Sequence, residues 1–269
     1  MNIFDNPALI EANPRYLSEL QNLPDHERLR QLWGNWLALP KGANFFDRTW
    51  VKNAERVPEG STGVRSYDFA AREPSEIYKH PDATTSLQYW KCSQGYYYIA
   101  GNYHKDFFDS VNDGKVYGRM RKRIGERNTI IMDQATLDGE DIPVLCPVDP
   151  GSAGIQAYED MAKQFAANGT RCKKDLMPTT TGKLTKFLPF ADAAQNGLVF
   201  IVRNTFPNEE TIEFILRELE AFDGQRSTAH RKDDFPDTIA TAHNGIAKMR
   251  VTKPVAIPDM NNPTLLAAH

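Results

Sequence analysis

Val64-Arg-Ser-Tyr-Asp-Phe-Ala-Ala71 reads as a β-strand. Tyr67 and Phe69 alternate with Asp68, so the two-residue period sends both rings to one face and the carboxylate to the other. Aspartate is disfavoured inside strands, and an ionised one in a buried sheet needs a partner. The next runs, 84–90 and 96–100, read as two further strands joined across Ser93-Gln-Gly95 in a hairpin. Residues 102–114 read as an inserted loop, and 116–123 fit neither period. Residues 130–137 read as a helix ending at Asp138-Gly139, and 142–148 as a short apolar strand. Ile155, Tyr158, Met161 and Phe165 recur at helical spacing. Beyond them, 171–177 reads as a strand, 183–195 as a helix, 198–202 as a buried strand, and 210–222 and 238–249 as helices. A hairpin-rich block followed by alternating helices and strands specifies an α/β mixed sheet flanked by helices.

Upstream the pattern changes. Residues 1–60 read as helical and aromatic, with Leu29, Leu32, Trp33 and Trp36 on one apolar stripe. Val57-Pro-Glu-Gly-Ser-Thr-Gly63 is turn chemistry. The expected organisation is a helical N-terminal segment over 1–60, a sheet domain over 61–255 and a tail over 256–269. Trp33, Trp36 and Trp50 are read as packing residues rather than base-stacking platforms.

Composition narrows the function. The chain has 269 residues, 41% hydrophobic and 25% charged, which excludes disorder and fibre as the default. No apolar run is long enough to span a membrane as a helix, and the first residues lack the apolar core of a secretory signal. Cys92, Cys146 and Cys172 are odd in number and widely spaced, which excludes a disulfide framework or cysteine-rich zinc site and suits a reducing cytoplasm. A net charge of −3 excludes a globally basic coat but leaves room for a local basic face.

Acidic residues stand at three element ends. Asp68 lies in the first strand. Asp149 follows the strand 142–148 and precedes Pro150-Gly-Ser-Ala-Gly154, at the carboxyl end of a strand where α/β sheets place their sites. Asp233, Asp234 and Asp237 crowd a helix start, with Asp234 and Asp237 sharing a face. Each also fits a structural role: a strand-edge acid, a helix cap or turn, and acids suited to the helix dipole. Three carboxylates in five residues repel one another unless a cation or water intervenes. Separated aspartates at element ends suit a hard cation such as Mg²⁺, which takes oxygen ligands. Two such ions roughly 3.5–4 Å apart can activate water and stabilise the leaving oxygen in phosphodiester cleavage.

These residues carry a resemblance. The order Arg65-Ser-Tyr-Asp-Phe-Ala-Ala, Asp82-Ala-Thr-Thr, Val148-Asp-Pro-Gly-Ser-Ala-Gly154, Gly182-Lys183 and Asp233-Asp-Phe-Pro-Asp-Thr resembles the C-terminal nuclease domain of phage large terminase subunits, the motors that package viral DNA. The resemblance covers about residues 62–250. Residues 13–50 are similar to the segment that leads out of the ATPase domain in that family. It implies an RNase H-like fold and a divalent-metal-dependent endonuclease that cuts concatemeric DNA during packaging into procapsids. Asp68, Asp149 and the Asp233–Asp234–Asp237 cluster match the family's acidic stations and would hold two Mg²⁺ or Mn²⁺ ions. Within the cluster Asp234 is favoured, Asp237 next and Asp233 last. The chain departs from the pattern at Lys232, where a histidine is common, at Thr238, where a small residue is usual, and at Pro236, which a first helical turn tolerates. The implied partners are double-stranded viral DNA, the small terminase subunit, the portal protein and the ATPase domain of the same subunit, with no membrane. The implied location is the host cytoplasm, at the procapsid portal. No GxxxxGK[ST] occurs, and Gly182-Lys183 lacks the upstream glycine, so the chain is read as a nuclease fragment or a split subunit.

Two basic clusters suit a phosphate backbone. Lys115, Arg119, Arg121, Lys122, Arg123 and Arg127 form one, and Arg171, Lys173, Lys174, Lys183 and Lys186 the other. Lys183, Lys186, Arg121 and Arg123 are the expected DNA contacts. The six histidines show no HxH or HExxH spacing and are read as non-ligands. No GxSxG occurs, and the cysteines lack a catalytic context. Two other readings stand beside the terminase one: a resolvase- or transposase-type nuclease on the same fold, and a non-catalytic domain that docks DNA or the portal.

Overall fold

The computed structural model of the chain describes residues 20, 45–70, 72–76, 81–111, 114–148, 151–175, 181–225 and 232–249. In chain order the strands are β1 (Lys52–Ala54), β2 (Thr62–Asp68), β3 (Thr84–Lys91), β4 (Tyr97–Ala100), β5 (Phe108–Val111), β6 (Gly114–Tyr117), β7 (Arg119–Met120), β8 (Val144–Cys146), β9 (Cys172–Lys174) and β10 (Val199–Val202). The helices are α1 (Ile124–Asp138), α2 (Ser152–Ala167), α3 (Lys183–Gln195), α4 (Glu209–Ala221) and α5 (Asp234–Ala247).

The main sheet runs β1-β10-β4-β3-β2-β8-β9, with β7 pairing on β3. β2, β3 and β4 form an antiparallel ladder at its centre. β8 adds beside β2 in parallel and β9 beside β8 in parallel. On the other flank β10 is parallel to β4, and β1 is parallel to β10. A separate hairpin joins β5 to β6.

Side-chain alternation divides the core between the two faces. Val64 and Leu145 point into the larger cluster, where Phe187 and Phe190 of α3, Ile215 and Leu219 of α4 and Phe235 and Ile239 of α5 are buried. Tyr67, Val144 and Cys146 point the other way, against Ile130 and Ile131 of α1 and Met161 and Phe165 of α2. The mixed sheet is thus covered by helices on both faces, as the sequence pattern predicts. α5 approaches most closely at Gly245, where a Cβ would lie 2.4 Å from Leu145 Cδ1. A larger residue here would force the Leu145 side chain to shift if the helix kept its depth on β8.

Arg65 is fully buried within β2 and faces α1. Its Nε and Nη2 donate to Asp138 at 2.5 and 2.7 Å, and Nη2 also donates to the carbonyls of Gly101 and Asn102. Gln88 and Gln134 donate to the same Asp138 carboxylate. An acid at a helix C-terminus opposes the dipole, and here the arginine offsets it while tying the end of α1 to the sheet.

Several boundaries differ from the sequence reading. Residues 102–114 are not simply a loop, since β5 begins at Phe108 and pairs with β6. Phe108 packs against Tyr117 with the rings tilted, 5.8 Å between centroids, a pairing of aromatics that short-range periodicity does not reveal. α1 starts at Ile124, six residues before the first apolar residue of its stripe, and α5 starts at Asp234 rather than 238. The turn-rich stretch 57–63 links β1 to β2 within one sheet. Phe45 and Phe46 lie in the larger core, Trp50 packs on Phe46, and Arg48 pairs with Glu213 and Glu220 of α4. Over the described residues, a boundary at 60 therefore does not separate two packing units. The stripe Leu29, Leu32, Trp33 and Trp36 lies outside the described residues, as does the tail 256–269. Among the described residues no helix is long and apolar enough to cross a membrane.

Candidate active site at the end of the central strands

β2 ends at Asp68, directly across from Thr85 of β3. Thr85 Oγ1 donates to the Asp234 carbonyl at 2.9 Å and lies 2.6 Å from Thr238 Oγ1. These buried hydroxyls fix the first turn of α5 over the ends of β2 and β3. Pro236 fits this turn because its missing N–H falls where a helix has no acceptor to meet, and Asp237 N donates to Asp233 O to start the helical ladder.

The result is a convergence of carboxylates from distant parts of the chain. Asp68 is half-buried, and Asp233 and Asp234 are buried. Burial raises the Asp68 pKa well above the usual range, and the negative charges of Asp237 and Asp234 push it further while Lys183 opposes them. Burial also pushes Asp234 up to about 6, against the pull of Arg119. Asp237 is raised by burial, with Lys183 drawing it back.

Two cations answer this charge. Lys183, the first residue of α3, donates to Asp233 Oδ2 at 2.5 Å and Asp237 Oδ2 at 2.6 Å. Arg119 Nη2 stands 3.6 Å from Asp234 Oδ2, and its guanidinium is anchored on the other side by Asp109. Ala83 N donates to Asp234 Oδ2 at 3.3 Å. Behind the acids, Glu218 of α4 accepts from Phe235 N at 3.1 Å. Burial raises its carboxyl to about 8, with Asp234 adding to the shift.

The expected site residues are distributed as follows. Asp68, Asp233, Asp234 and Asp237 come together with Lys183. Asp149 lies outside the described residues, but β8 runs parallel to β2 and points its carboxyl end the same way. Lys186 lies one turn after Lys183, 3.9 Å from Asp175 at the end of β9. Arg121 is paired with Asp109, and Arg123 with Glu73. Of these two, only Arg123 is freely presented to solvent, with its side chain 84% exposed. His243 is buried against Tyr89 and Tyr97 and takes no part in the cluster. His80 and His230 lie outside the described residues.

Three residues near the site were not singled out as acid-cluster partners by sequence. Glu218 had a usable signal, because it falls on the apolar stripe of α4 beside Ile215 and Leu219. Arg119 was masked by its basic neighbours, and Asp175 by a strand of only three residues. Among the described residues no group of three or more acids, histidines or cysteines is already arranged around a common metal position. The Lys183 ammonium spans two of the acids instead.

Residues 113–245 match the profile of the family described as the terminase RNaseH-like domain. Over that stretch the chain resembles a terminase RNaseH-like domain. The terminase match ends within α5 and includes its first-turn acids. Among solved structures, the chain is similar to the large terminase nuclease from thermophilic phage G20c with bound zinc, at 13% identity and a TM-score of 0.42, covering 78% of this chain and 98% of that one. It is also similar to a mutant nuclease domain of the large terminase subunit of bacterial virus Sf6 with manganese and beta-thujaplicinol, at 11% identity and a TM-score of 0.43, covering 74% and 98%. No curated protein matches the chain in sequence.

Proposed function

We propose that this terminase domain is a divalent-metal-dependent endonuclease that cuts concatemeric double-stranded viral DNA during genome packaging. The observation that carries the reading is the convergence of Asp68 from the end of β2 with Asp233, Asp234 and Asp237 from the start of α5. The donors are all carboxylate oxygens, the set that Mg²⁺ and Mn²⁺ prefer. Their mutual repulsion, felt most at Asp68, is the excess charge that a dication relieves.

Asp68, Asp234 and Asp237, with Asp149 from the end of β8, would hold two ions. When bound, the ions supply Lewis-acid stabilisation at the scissile phosphate. The chain supplies the rest. Arg119, fixed by Asp109, favours the ionised form of Asp234. Lys183 holds Asp233 and Asp237 together in the ion-free protein, and its half-exposed ammonium is the nearest cation for a substrate phosphate once the acids have another partner. Lys186, Arg121 and Arg123 extend that phosphate contact, the two arginines exchanging carboxylate partners for backbone oxygens.

In the packaging assembly the domain works beside the ATPase domain of the same subunit, the small terminase subunit and the portal, in the host cytoplasm at the procapsid. Residues 13–50 would form the approach from that ATPase domain. Plasmid nicking with and without Mg²⁺ or Mn²⁺ tests the reading. Metal-dependent nicking that disappears in Asp68→Asn supports it. DNA binding without cleavage in either metal rejects it in favour of a docking domain, and preference for branched over linear DNA favours a resolvase.

A further inference from the structure

The geometry points to a second DNA-backbone site on this domain, a basic cleft at the opposite end of the sheet from the acids, reached along the edge strand β9. The inference rests on DNA being the substrate. The cleft has a volume of about 1120 Å³ and lies between the start of β2, the start of β9 and the end of α5. Arg171, Lys173, Lys174 and Lys248 line it, and all four are exposed. Trp90 and Met249 contribute to its apolar floor.

These cations are not used up by the fold. Among the described residues none of the four has a carboxylate partner. Arg171 reaches only the Asp141 carbonyl, at 3.4 Å. Lys173 touches the Met249 sulfur at 4.0 Å, and Lys174 lies 4.8 Å over the Tyr158 ring. Blunting a sheet edge needs a lysine or two, whereas here a fourth cation arrives from α5 to close a concavity. Four cations without a carboxylate partner line a cleft that holds one acid, Asp141, and this local excess of positive charge, in a chain of net charge −3, suits a polyanion.

Topology then links the cleft to the acids. β2, β8 and β9 are mutually parallel, so Thr62 and Arg171 share one end while Asp68 and Asp175 share the other. From Arg171 to Asp175 the extended chain covers about 13 Å, a length over which one DNA strand carries about four phosphates. At the far end Lys186 stands 3.9 Å from Asp175, and Lys183 one turn earlier touches the acid cluster. The cations thus form a line along the sheet edge that leads from the cleft to the acids. A succession of cations of this kind suits the repeated charge of a nucleic acid backbone. An acidic protein segment would need matching apolar anchors at fixed spacing, and Trp90 and Met249 are only the floor of one end.

The test is fluorescence anisotropy of a labelled 30-base-pair duplex in EDTA, with the full chain, across a salt titration. Lys173→Gln, Lys174→Gln and Lys248→Gln keep polar side chains and remove three charges. The triple variant is expected to bind about tenfold or more weakly at 0.1 M salt, with the log–log salt slope reduced by about 2–3. If it does not fold, the three single variants decide, each expected to lower the slope by about 0.9. A control pair at the opposite sheet edge, Lys52→Gln with Arg56→Gln, is expected to leave affinity and slope unchanged. Equal losses in the control and cleft variants, an unchanged slope in the cleft variants, or no duplex binding by the wild-type chain overturns the proposal. Loss of poly-glutamate binding with duplex binding intact also overturns it and gives the cleft to a protein partner. Because EDTA removes the metal, absence of cleavage in the nicking assay leaves this result standing, and the two readings fail separately.

Discussion

Lys183 Nζ lies 2.6 Å from Asp237 Oδ2, so the first residue of α3 is bound to the first turn of α5. The same ammonium holds Asp233 at 2.5 Å. In the absence of metal this one cation keeps two neighbouring carboxylates from repelling each other, and it couples the site to helix packing.

Replacing Lys183 with methionine removes the cation and retains the stem. The variant is expected to lose about 1–2 kcal/mol at pH 7 in EDTA, less than for a fully buried pair because the lysine side chain is part-exposed. The loss should shrink as pH falls and Asp237, its carboxyl raised by burial, takes up a proton. Urea denaturation at pH 7 and pH 4.5 checks both statements. Mg²⁺ should stabilise this variant more than the wild type, since the ion no longer competes with an ammonium.

Asp68→Asn is expected to fold, to melt at a higher temperature than the wild type in EDTA at pH 8, and to lose metal-dependent nicking. The sign follows from crowding. The Asp68 carboxyl is raised by burial and by Asp237 and Asp234, so its ionised form weakens the fold, and a neutral amide removes that cost. The activity loss should exceed the roughly 10–100-fold expected for an outer-shell change. Nicking at the wild-type rate in Mn²⁺ would place the reaction elsewhere.

Glu218 gives a pH signature. Its folded pKa is about 8 against an ordinary 4.5. Between these values the folded state holds a proton that the unfolded state has released, so stability falls as pH rises through the window. His243, lowered by burial to about 4, acts in the opposite direction, but its contribution is nearly complete by about pH 7.5 and is common to wild type and variant. Comparing wild type with Glu218→Gln from pH 6.5 to 8 isolates the glutamate. The wild type is expected to lose about 1–2 kcal/mol more than the variant over that range. Parallel stability curves would show that Glu218 is already ionised.

Asp138→Ala strands the Arg65 guanidinium inside the sheet. Arg65 is fully buried and keeps only the two carbonyls as strong acceptors once Asp138 is gone. A loss of about 3–5 kcal/mol is expected, the usual cost of an uncompensated buried charge. Arg65→Met with Asp138→Leu should recover most of it. A double-mutant cycle by urea denaturation measures the coupling.

Cys146 and Cys172 sit on the adjacent strands β8 and β9 with their sulfurs 3.3 Å apart. Treatment with a diazene oxidant is expected to convert both thiols to one disulfide, with a mass loss of about 2 Da and two fewer titratable thiols per chain. Cys172 is the more accessible attacking group, its thiol lowered by hydrogen bonding to Cys146 and Tyr158 against the effect of burial. Retention of all three free thiols would show that the strands hold the sulfurs apart.

The fold was legible where period and length agreed. The helix over 183–195 coincides with α3, and the strand and hairpin readings over 64–100 fall on β2, β3 and β4. Asp68 stood out because an aspartate between two strand aromatics has no local reason to be there. What could not be read was long-range. β1 has three residues and no apolar period of its own, and it is a strand only because β10 pairs with it. The acids of the first turn of α5 were legible as a helix start, but the partners they face lie far away in sequence. Lys183 was read as a DNA contact from its basic neighbours. Its bond to Asp237 spans 54 positions, and no spacing rule reaches that far.

On the proposed reading α5 would also act as a ruler. Its first turn carries the acids, and Lys248 follows directly after its last turn. Fourteen residues at a helical rise set that interval at about 21 Å, the length of about six base pairs of duplex. Because Gly245 seats the helix directly on Leu145, the interval cannot be retuned by loop motion. A duplex gripped at both ends would be cut at a constant offset from its outer contact, whatever its base sequence, so uniformity of product ends would be inherited from helical pitch and not from recognition of bases.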